Sequence, residues 1–222
     1  MFQELSPIHV IVLAMVLGIL PIALTLVTSY IKIIVVAFIV RNALGIQQTP
    51  PNMVLTGLAV ILSIFIMAPV GFSAYHNIEN YVHSHSSEEL NSVPHTLAIV
   101  ETAATPFLNF LAVNTDDKIA QSFANTAQRI WPQELRDSIA PDSWVFLVPS
   151  FVISELTKAF QIGFLLYLPF IIIDLIVSNI LLAMGMMMVS PTTISLPFKL
   201  MLFVTIDGWL KLSQGLMLSY SY

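Results

Sequence analysis

The sequence predicts an all-α membrane protein with about four long hydrophobic helices arranged as two hairpins and a small helical extracytoplasmic insertion between them. Hydrophobic residues make up 57% of the 222-residue chain and charged residues only 9%, and the mean hydropathy is +0.86. These values exclude an ordinary soluble domain. Residues 75–143 instead carry nine acidic residues against three basic ones. We therefore predict three domains, at residues 1–74, 75–143 and 144–222.

The first hairpin is predicted from two apolar runs joined by a short connection. Residues 8–40 exceed the roughly 20 residues that cross a bilayer, with a kink expected at Pro21 and an exit from the most apolar zone near Lys32. No basic residue precedes this run, unlike a secretory signal, so we expect it to be retained. Residues 41–52 form a tight connection that Pro50 and Pro51 keep from being helical. A second helix is expected from residue 53 to about 74.

The acidic middle segment is predicted to be helical and to lie outside the cytoplasm. We expect one helix over residues 97–113, bent at Pro106, and a second one capped by Asn114 or Thr115. This second helix has an apolar face, which consists of Ile119, Phe123, Ala127 and Ile130. Because Lys32 and Arg41 lie in a stretch without acids, the positive-inside rule places the first connection in the cytoplasm and residues 75–143 in the periplasm.

The last third is apolar again and predicts the second hairpin. Pro149 and Ser150 indicate a helix start, from which an apolar run interrupted by Pro169 extends to Val189. A final helix is predicted over residues 194 to about 218. Between these helices lies a methionine-rich stretch, residues 183–191.

Six ionisable residues lie in this apolar third: Glu155, Lys158, Asp174, Lys199, Asp207 and Lys211. Charges at membrane depth are costly and face a partner or a wet cavity. The spacings of Glu155 with Lys158 and of Asp207 with Lys211 favour pairs along one helix. Asp174 has no basic residue within a turn, which makes it a candidate contact between subunits. Structural ion pairs and a proton or ion path both remain possible, whereas the sequence around Asp174 and Asp207 lacks the signatures of an intramembrane aspartyl protease.

The methionine-rich stretch holds four of the ten methionines, Met184, Met186, Met187 and Met188. Methionine is flexible and polarizable and packs against irregular or changing surfaces. Composition favours a loosely packed core, and the alternative is a deformable constriction. Gly185 permits a helix break and Pro191 enforces one, which favours a loop.

Composition and motifs exclude several kinds of function. The chain has no cysteine and a formal net charge of −5, so neither a thiolate metal site nor nucleic-acid binding is expected. His83 and His85, near Glu88 and Glu89, are interpreted as part of a solvated loop rather than a zinc site. No phosphate-binding loop and no His-Glu-x-x-His motif occurs. We expect no enzyme activity, no metal and no cofactor.

Several stretches together resemble the FliP/SctR family, core subunits of the export apparatus of flagellar and injectisome type III secretion systems. The resemblance covers both apolar halves and leaves the acidic middle unmatched. The short N-terminus without a cleaved signal resembles the injectisome branch. The matching stretches are residues 28–33, 41–48, 50–52, 151–156, 167–170, 184–191, 195–199 and 207–209.

The resemblance implies a pore-forming subunit of the export gate in the bacterial inner membrane, through which unfolded effector or needle proteins are translocated. It implies a homo-pentamer that joins the smaller FliQ/SctS-like and FliR/SctT-like subunits, with FlhB/SctU-like and FlhA/SctV-like proteins as further partners. The family's methionine gasket corresponds to Met186, Met187 and Met188, with Met184 as a further candidate. Its conserved charged positions correspond to Glu155, Lys158, Asp174 and Lys199, as contacts between helices or subunits.

A proton-coupled carrier that works alone is the alternative function. Intramembrane carboxylates also build proton relays, and hydropathy alone does not distinguish helices that face lipid from helices that face protein. The size of the detergent-solubilised particle distinguishes the two functions.

Overall fold

The computed structural model describes residues 18, 21–22, 24–46, 48–85, 93–138, 140, 143–186 and 188–222, and regular structure within these ranges is helical without any strand. This confirms the all-α class. The helices whose two ends both fall in these ranges are α1 (Tyr30–Ala43), α2 (Asn52–His83), α3 (Val93–Asn114), α4 (Asp117–Ile130), α5 (Gln133–Ser138), α6 (Trp144–Ala183), α7 (Pro191–Thr205) and α8 (Gly208–Leu218).

Helix α1 lies at the centre of the protein, packed between α2 and α6. Its buried apolar side chains include Ile33, Val36 and Val40. α1 and α6 run parallel, because Lys32 meets Glu155 while Ile39, further along α1, meets Gly163, further along α6. A Cβ on Gly163 would lie 2.5 Å from Cδ1 of Ile39, so the glycine allows the close approach of the two helices.

Two of the described helices, α2 and α6, are long and apolar enough to cross a membrane. The pair α7 and α8 passes the same test together but is bent by 58°, as in a broken span or a re-entrant loop. Of the predicted first span, residues 8–40, the structure describes only residue 18, residues 21–22 and residues 24–40. The rest of that prediction lies outside the described residues.

Two predicted helix ends are wrong. α2 continues past residue 74 to His83, and α6 begins at Trp144 rather than near Pro149. The fall in hydropathy after residue 74 marks where side chains become polar, and polar side chains are compatible with an exposed helix. Pro149 and Pro169 both lie inside α6, because a proline removes one backbone hydrogen bond without ending a helix that tertiary packing supports.

The middle segment contains the two predicted helices and the short α5. α3 contains Pro106 as expected, but α4 is capped by neither Asn114 nor Thr115. The cap is Asp116, whose carboxylate accepts a hydrogen bond of 2.8 Å from the backbone N–H of Lys118. Of the predicted apolar face, Ala127 is buried while Ile130 is exposed.

The predicted final helix, residues 194–218, is broken in the middle. Asp207 adopts the left-handed conformation, with φ 53° and ψ 48°, between α7 and α8. Aspartate is among the few non-glycine residues that occupy this region without a large penalty. The next residue, Gly208, lies against the Phe203 ring, which a Cβ would approach within 2.3 Å. The break therefore depends on both residues.

Candidate functional site

Glu155 of α6 is the centre of a fully buried polar cluster. Its carboxylate lies 3.3 Å from the Nζ atom of Lys32, and the two side chains are 0% and 1% exposed. The Tyr220 hydroxyl, from the segment after α8, also contacts this carboxylate and lies 3.1 Å from the carbonyl oxygen of Ser29. Burial, together with the Glu155 carboxylate, raises the pKa of Tyr220 above its usual range, so that the hydroxyl keeps its proton. Buried charges are tolerated when they are paired and hydrogen-bonded in this way.

Lys158 lies at the edge of the same cluster. Its Nζ atom is 3.5 Å from the Glu155 carboxylate, one helical turn away on α6, as the sequence spacing predicts. The same ammonium group donates a hydrogen bond to the backbone carbonyl of Asn114 at the end of α3. The Lys158 side chain is 35% exposed, so water partly screens this pair.

A second ion pair joins Asp174 of α6 to Lys199 of α7, with 2.6 Å between the Nζ atom and a carboxylate oxygen. The Lys199 ammonium also donates to the carbonyl of Ala43 at the end of α1, over 3.2 Å. The Ser195 hydroxyl donates to the other oxygen of Asp174 at 2.6 Å. Asp174 thus has a basic partner within the chain, which its sequence neighbours do not reveal. Its contact with another subunit stays a prediction.

The predicted pairing of Asp207 with Lys211 along one helix is not seen. Asp207 lies at the break before α8, and both residues are exposed. No ion pair of either residue occurs in the part of the chain that the structure describes. The left-handed backbone of Asp207 changes the direction of its side chain relative to a continuous helix, so the spacing rule for one helix does not apply.

The methionine-rich stretch forms the loop between α6 and α7. Gly185, with φ +73°, ends α6. Its N–H donates to the Leu182 carbonyl at 3.0 Å, and the N–H of Met186 donates to the Leu181 carbonyl at 2.9 Å. This is the Schellman arrangement, for which glycine is the usual residue. Met184, Met186 and Met188 are 65%, 40% and 101% exposed. The loose-core interpretation is therefore wrong for these three side chains, while Met187 lies outside the described residues.

Four of the five histidines, His76, His83, His85 and His95, lie around the end of α2 and the start of α3, and His9 lies outside the described residues. The Tyr81 hydroxyl is 2.8 Å from Nδ1 of His95, and the ring centroids of His85 and His95 are 4.9 Å apart. His83 is exposed. Within the described ranges no three His, Cys, Asp or Glu side chains are grouped so that they could hold a metal ion. Glu88 and Glu89 lie outside these ranges.

Sequence reasoning missed three members of the two polar clusters: Lys32 as a buried partner, Tyr220 and Ser195. Lys32 was expected near the exit from the apolar zone, but it is buried in the protein core. The prediction from the positive-inside rule that the first connection is cytoplasmic therefore depends on Arg41 alone. The sequence does contain a signal for these distant contacts. Lys32 and Asp174 are single charges in apolar runs without an oppositely charged residue nearby in the sequence, which indicates a partner elsewhere in the chain.

The fold and these contacts define an all-helical membrane protein whose buried charges are neutralised in pairs. The chain belongs to the FliP family, whose family model matches residues 13–216, and this confirms the resemblance found in the sequence. The match also includes the acidic middle segment, which the sequence motifs left unmatched.

Curated relatives cover nearly the whole chain. "Yop proteins translocation protein R" of Yersinia pestis is 46% identical over 220 residues, which are 99% of each chain. "Virulence protein YscR" of Salmonella typhimurium is 46% identical over 94% of this chain and 95% of its own. "Hypersensitivity response secretion protein HrcR" of Ralstonia nicotianae is 43% identical over 98% and 99%. The chain is thus similar to proteins named for translocation and secretion.

Proposed function

We propose that this chain is a pore-forming subunit of a type III secretion export gate, through which unfolded effector or needle proteins cross the bacterial inner membrane. The observation that carries the proposal is the methionine loop of a FliP-family chain. The side chains of Met184, Met186 and Met188 project from the packed core at the junction between the long α6 and the bent pair α7 and α8. The subunit performs no covalent chemistry.

The physical properties of the loop suit a deformable seal. The Gly185 turn ends α6 and Pro191 begins α7, so both ends of the loop are fixed while the side chains of Met186 and Met188 are exposed. Thioether side chains repack at little cost around surfaces of different shape. A ring of such loops from several copies would close the pore at rest and fit closely around varied unfolded chains.

The length of α6 supports assembly with other subunits. A helix of 40 residues spans about 60 Å at 1.5 Å per residue, whereas the hydrocarbon core of a bilayer is about 30 Å thick. α6 nevertheless exposes large apolar side chains from near its start to its end, among them Val145, Ile153 and Leu182. Apolar surface that lipid does not cover needs a protein partner. The proposed partners are further copies in a homo-pentamer, FliQ/SctS-like and FliR/SctT-like subunits, and FlhB/SctU-like and FlhA/SctV-like proteins.

In the proposed orientation, residues 75–143 lie on the periplasmic side. The three basic residues of this segment do not oppose the assignment, because a segment of this length is translocated largely regardless of its charge. Arg41 supports the assignment from the last turn of α1, beside the first connection, where its guanidinium donates to the side chain of Asn52.

The gasket is tested by replacing Met186, Met187 and Met188 together with alanine. Shortening all three side chains is expected to make the resting gate leak, seen as ion conductance of the reconstituted complex or as growth sensitivity of the bacterium. Met201→Ala is the control, because Met201 is an exposed methionine (65%) that lies on α7, outside the loop. Equal leakage of the triple variant and the control would remove the gasket role.

The carrier alternative receives less support from the ion pairs. Glu155 and Asp174 are each neutralised by lysine, whereas a relay needs carboxylates that exchange protons. The detergent-solubilised particle should be a multi-subunit ring. A monomer or dimer in the presence of the neighbouring gate proteins would favour the carrier.

A further inference from the structure

The last three residues of the sequence, Tyr220 to Tyr222, form what we call the strap. The strap follows α8 and contacts four helices or their ends. Tyr220 contacts Ser29 and Lys32 at the start of α1, Phe110 of α3 and Glu155 of α6. Ser221 contacts Asn114 at the end of α3, and Tyr222 contacts Ile66 of α2.

Tyr220 covers the buried charge pair directly. The Lys32 ammonium lies over the Tyr220 ring, 3.5 Å from its centroid, and the hydroxyl of the same residue contacts the Glu155 carboxylate. One side chain therefore meets both charges, the cation with its π face and the anion with its O–H group. Tyr220 is itself only 6% exposed and stacks on Phe110 with the ring centroids 5.8 Å apart.

The Asn114 side chain holds the backbone of the strap. Its Nδ2 atom donates to the Ser221 carbonyl at 2.8 Å, and its Oδ1 atom accepts from the Ser221 N–H at 3.1 Å. Asn114 is buried, whereas the Ser221 side chain is exposed. The contact thus fixes the strap backbone and does not use the Ser221 side chain. Tyr222 adds a hydrogen bond of 2.6 Å to the Ile66 carbonyl.

The position of the strap in the chain gives an order of events. Its contact residues on α1, α2, α3 and α6 are all synthesised before it. Until it docks, Lys32 and Glu155 lack the ring and the hydroxyl that cover them, and a buried charge with incomplete hydrogen bonding is costly. We propose that the strap is the closing element of this core: it docks after α1, α2, α3 and α6 and seals the Lys32–Glu155 pair from water.

A single-cysteine reporter tests strap closure in the full-length protein. The chain has no cysteine, and Ser29, whose backbone carbonyl accepts from the Tyr220 hydroxyl, is 0% exposed. Ser29→Cys should react slowly with a water-soluble maleimide. Adding Ser221→Pro removes the N–H that Asn114 accepts, and labelling should become about tenfold faster, equivalent to about 1.4 kcal/mol in the opening equilibrium.

Ser221→Ala is the matched control, because alanine keeps both backbone hydrogen bonds with Asn114. Labelling in this variant should equal that of the reporter alone. Slow labelling of the Ser221→Pro variant, or equally fast labelling of both variants, would overturn the proposal.

A second measurement tests whether the strap acts on the charges. Tyr220→Phe should lower the melting temperature of the detergent-solubilised protein when Lys32 and Glu155 are present. With Lys32→Met and Glu155→Leu together, the same change should have little effect, because no buried carboxylate then needs the hydroxyl. An equal fall in both backgrounds would show that Tyr220 acts through packing alone and would contradict the sealing role. Neither measurement involves the methionine loop, so the gate proposal and the strap proposal fail independently.

Discussion

The two halves of α6 differ in how they are covered. In residues 144–163 the buried positions, among them Phe151, Glu155 and Ala159, recur every three or four residues. In residues 164–183 the buried positions are fewer, namely Phe170, Val177 and Leu181, while Phe164, Leu165 and Ile172 are exposed. The first half is therefore a core helix of the subunit. The second half has the apolar surface of an element that needs lipid or other subunits.

The two carboxylates of α6 show the same contrast. Glu155 in the first half is completely buried, whereas the Asp174 side chain in the second half is 33% exposed. Glu155 interacts with two lysines and a tyrosine, and Asp174 with one lysine and a serine. A charge in the covered half of the helix is thus fully buried and needs several partners within the subunit. A charge in the uncovered half is partly exposed and has fewer partners.

The largest effect is expected for Glu155→Gln. This change leaves Lys32 buried without a counter-charge, and breaking such a pair costs about 3–5 kcal/mol. We expect a large fall in the melting temperature of the solubilised protein, or a loss of accumulated protein. Glu101→Gln is the control, since Glu101 is exposed on α3. Similar shifts for the two variants would mean that the first half of α6 does not depend on its charge pair.

Phenylalanine truncation compares the two halves with the same chemistry. Phe151 is 0% exposed and Phe164 is 62% exposed. Phe151→Ala should destabilise the subunit by about 3–5 kcal/mol, because it removes a fully buried ring. Phe164→Ala should change the stability of the isolated subunit by no more than about 0.5 kcal/mol.

Thermal unfolding of the solubilised subunit measures the first effect, and the yield of the assembled complex measures the second. Phe164→Ala should reduce assembly while leaving the melting temperature unchanged. Equal thermal shifts for the two variants would contradict the division of α6 into a covered and an uncovered half.

A smaller loss of stability than for Glu155→Gln or Phe151→Ala is expected for Asp174→Asn. Asparagine keeps the shape of the side chain and can still accept a hydrogen bond from Ser195, and Lys199 keeps its hydrogen bond to the Ala43 carbonyl. The loss of the charged hydrogen bond to Lys199 should therefore lower the free energy of unfolding by about 1–3 kcal/mol. A loss of assembly with a small thermal shift would give Asp174 a structural role between subunits. Intact assembly combined with a lost pH dependence of export would favour the carrier.

The sequence predicts local features well. The helical class follows from the long apolar runs, and the Glu155–Lys158 contact follows from the spacing of one helical turn. The loop at Gly185 follows from glycine and proline chemistry. Each of these depends only on residues close together in the chain.

Contacts between helices were not predictable in the same way. Lys32 and Glu155 are 123 positions apart, and Asp174 and Lys199 are 25 apart. Helical periodicity shows which face is apolar, but not which other helix covers it. For this reason the prediction that Lys32 marks the end of the apolar zone was wrong. The residues next to a lysine look the same whether it lies near the membrane surface or is buried against a carboxylate from a distant part of the chain.

The close packing of Ile39 on Gly163 has a consequence for how α1 is positioned along α6. This contact lies between the Lys32–Glu155 pair and the hydrogen bond from Lys199 to Ala43. A slip of α1 by one turn, about 5.4 Å, would separate both polar contacts at once. The two sites are therefore thermodynamically coupled through the register of a single helix. Changes at both sites should cost less together than the sum of the separate changes, because the second change acts on a register already lost.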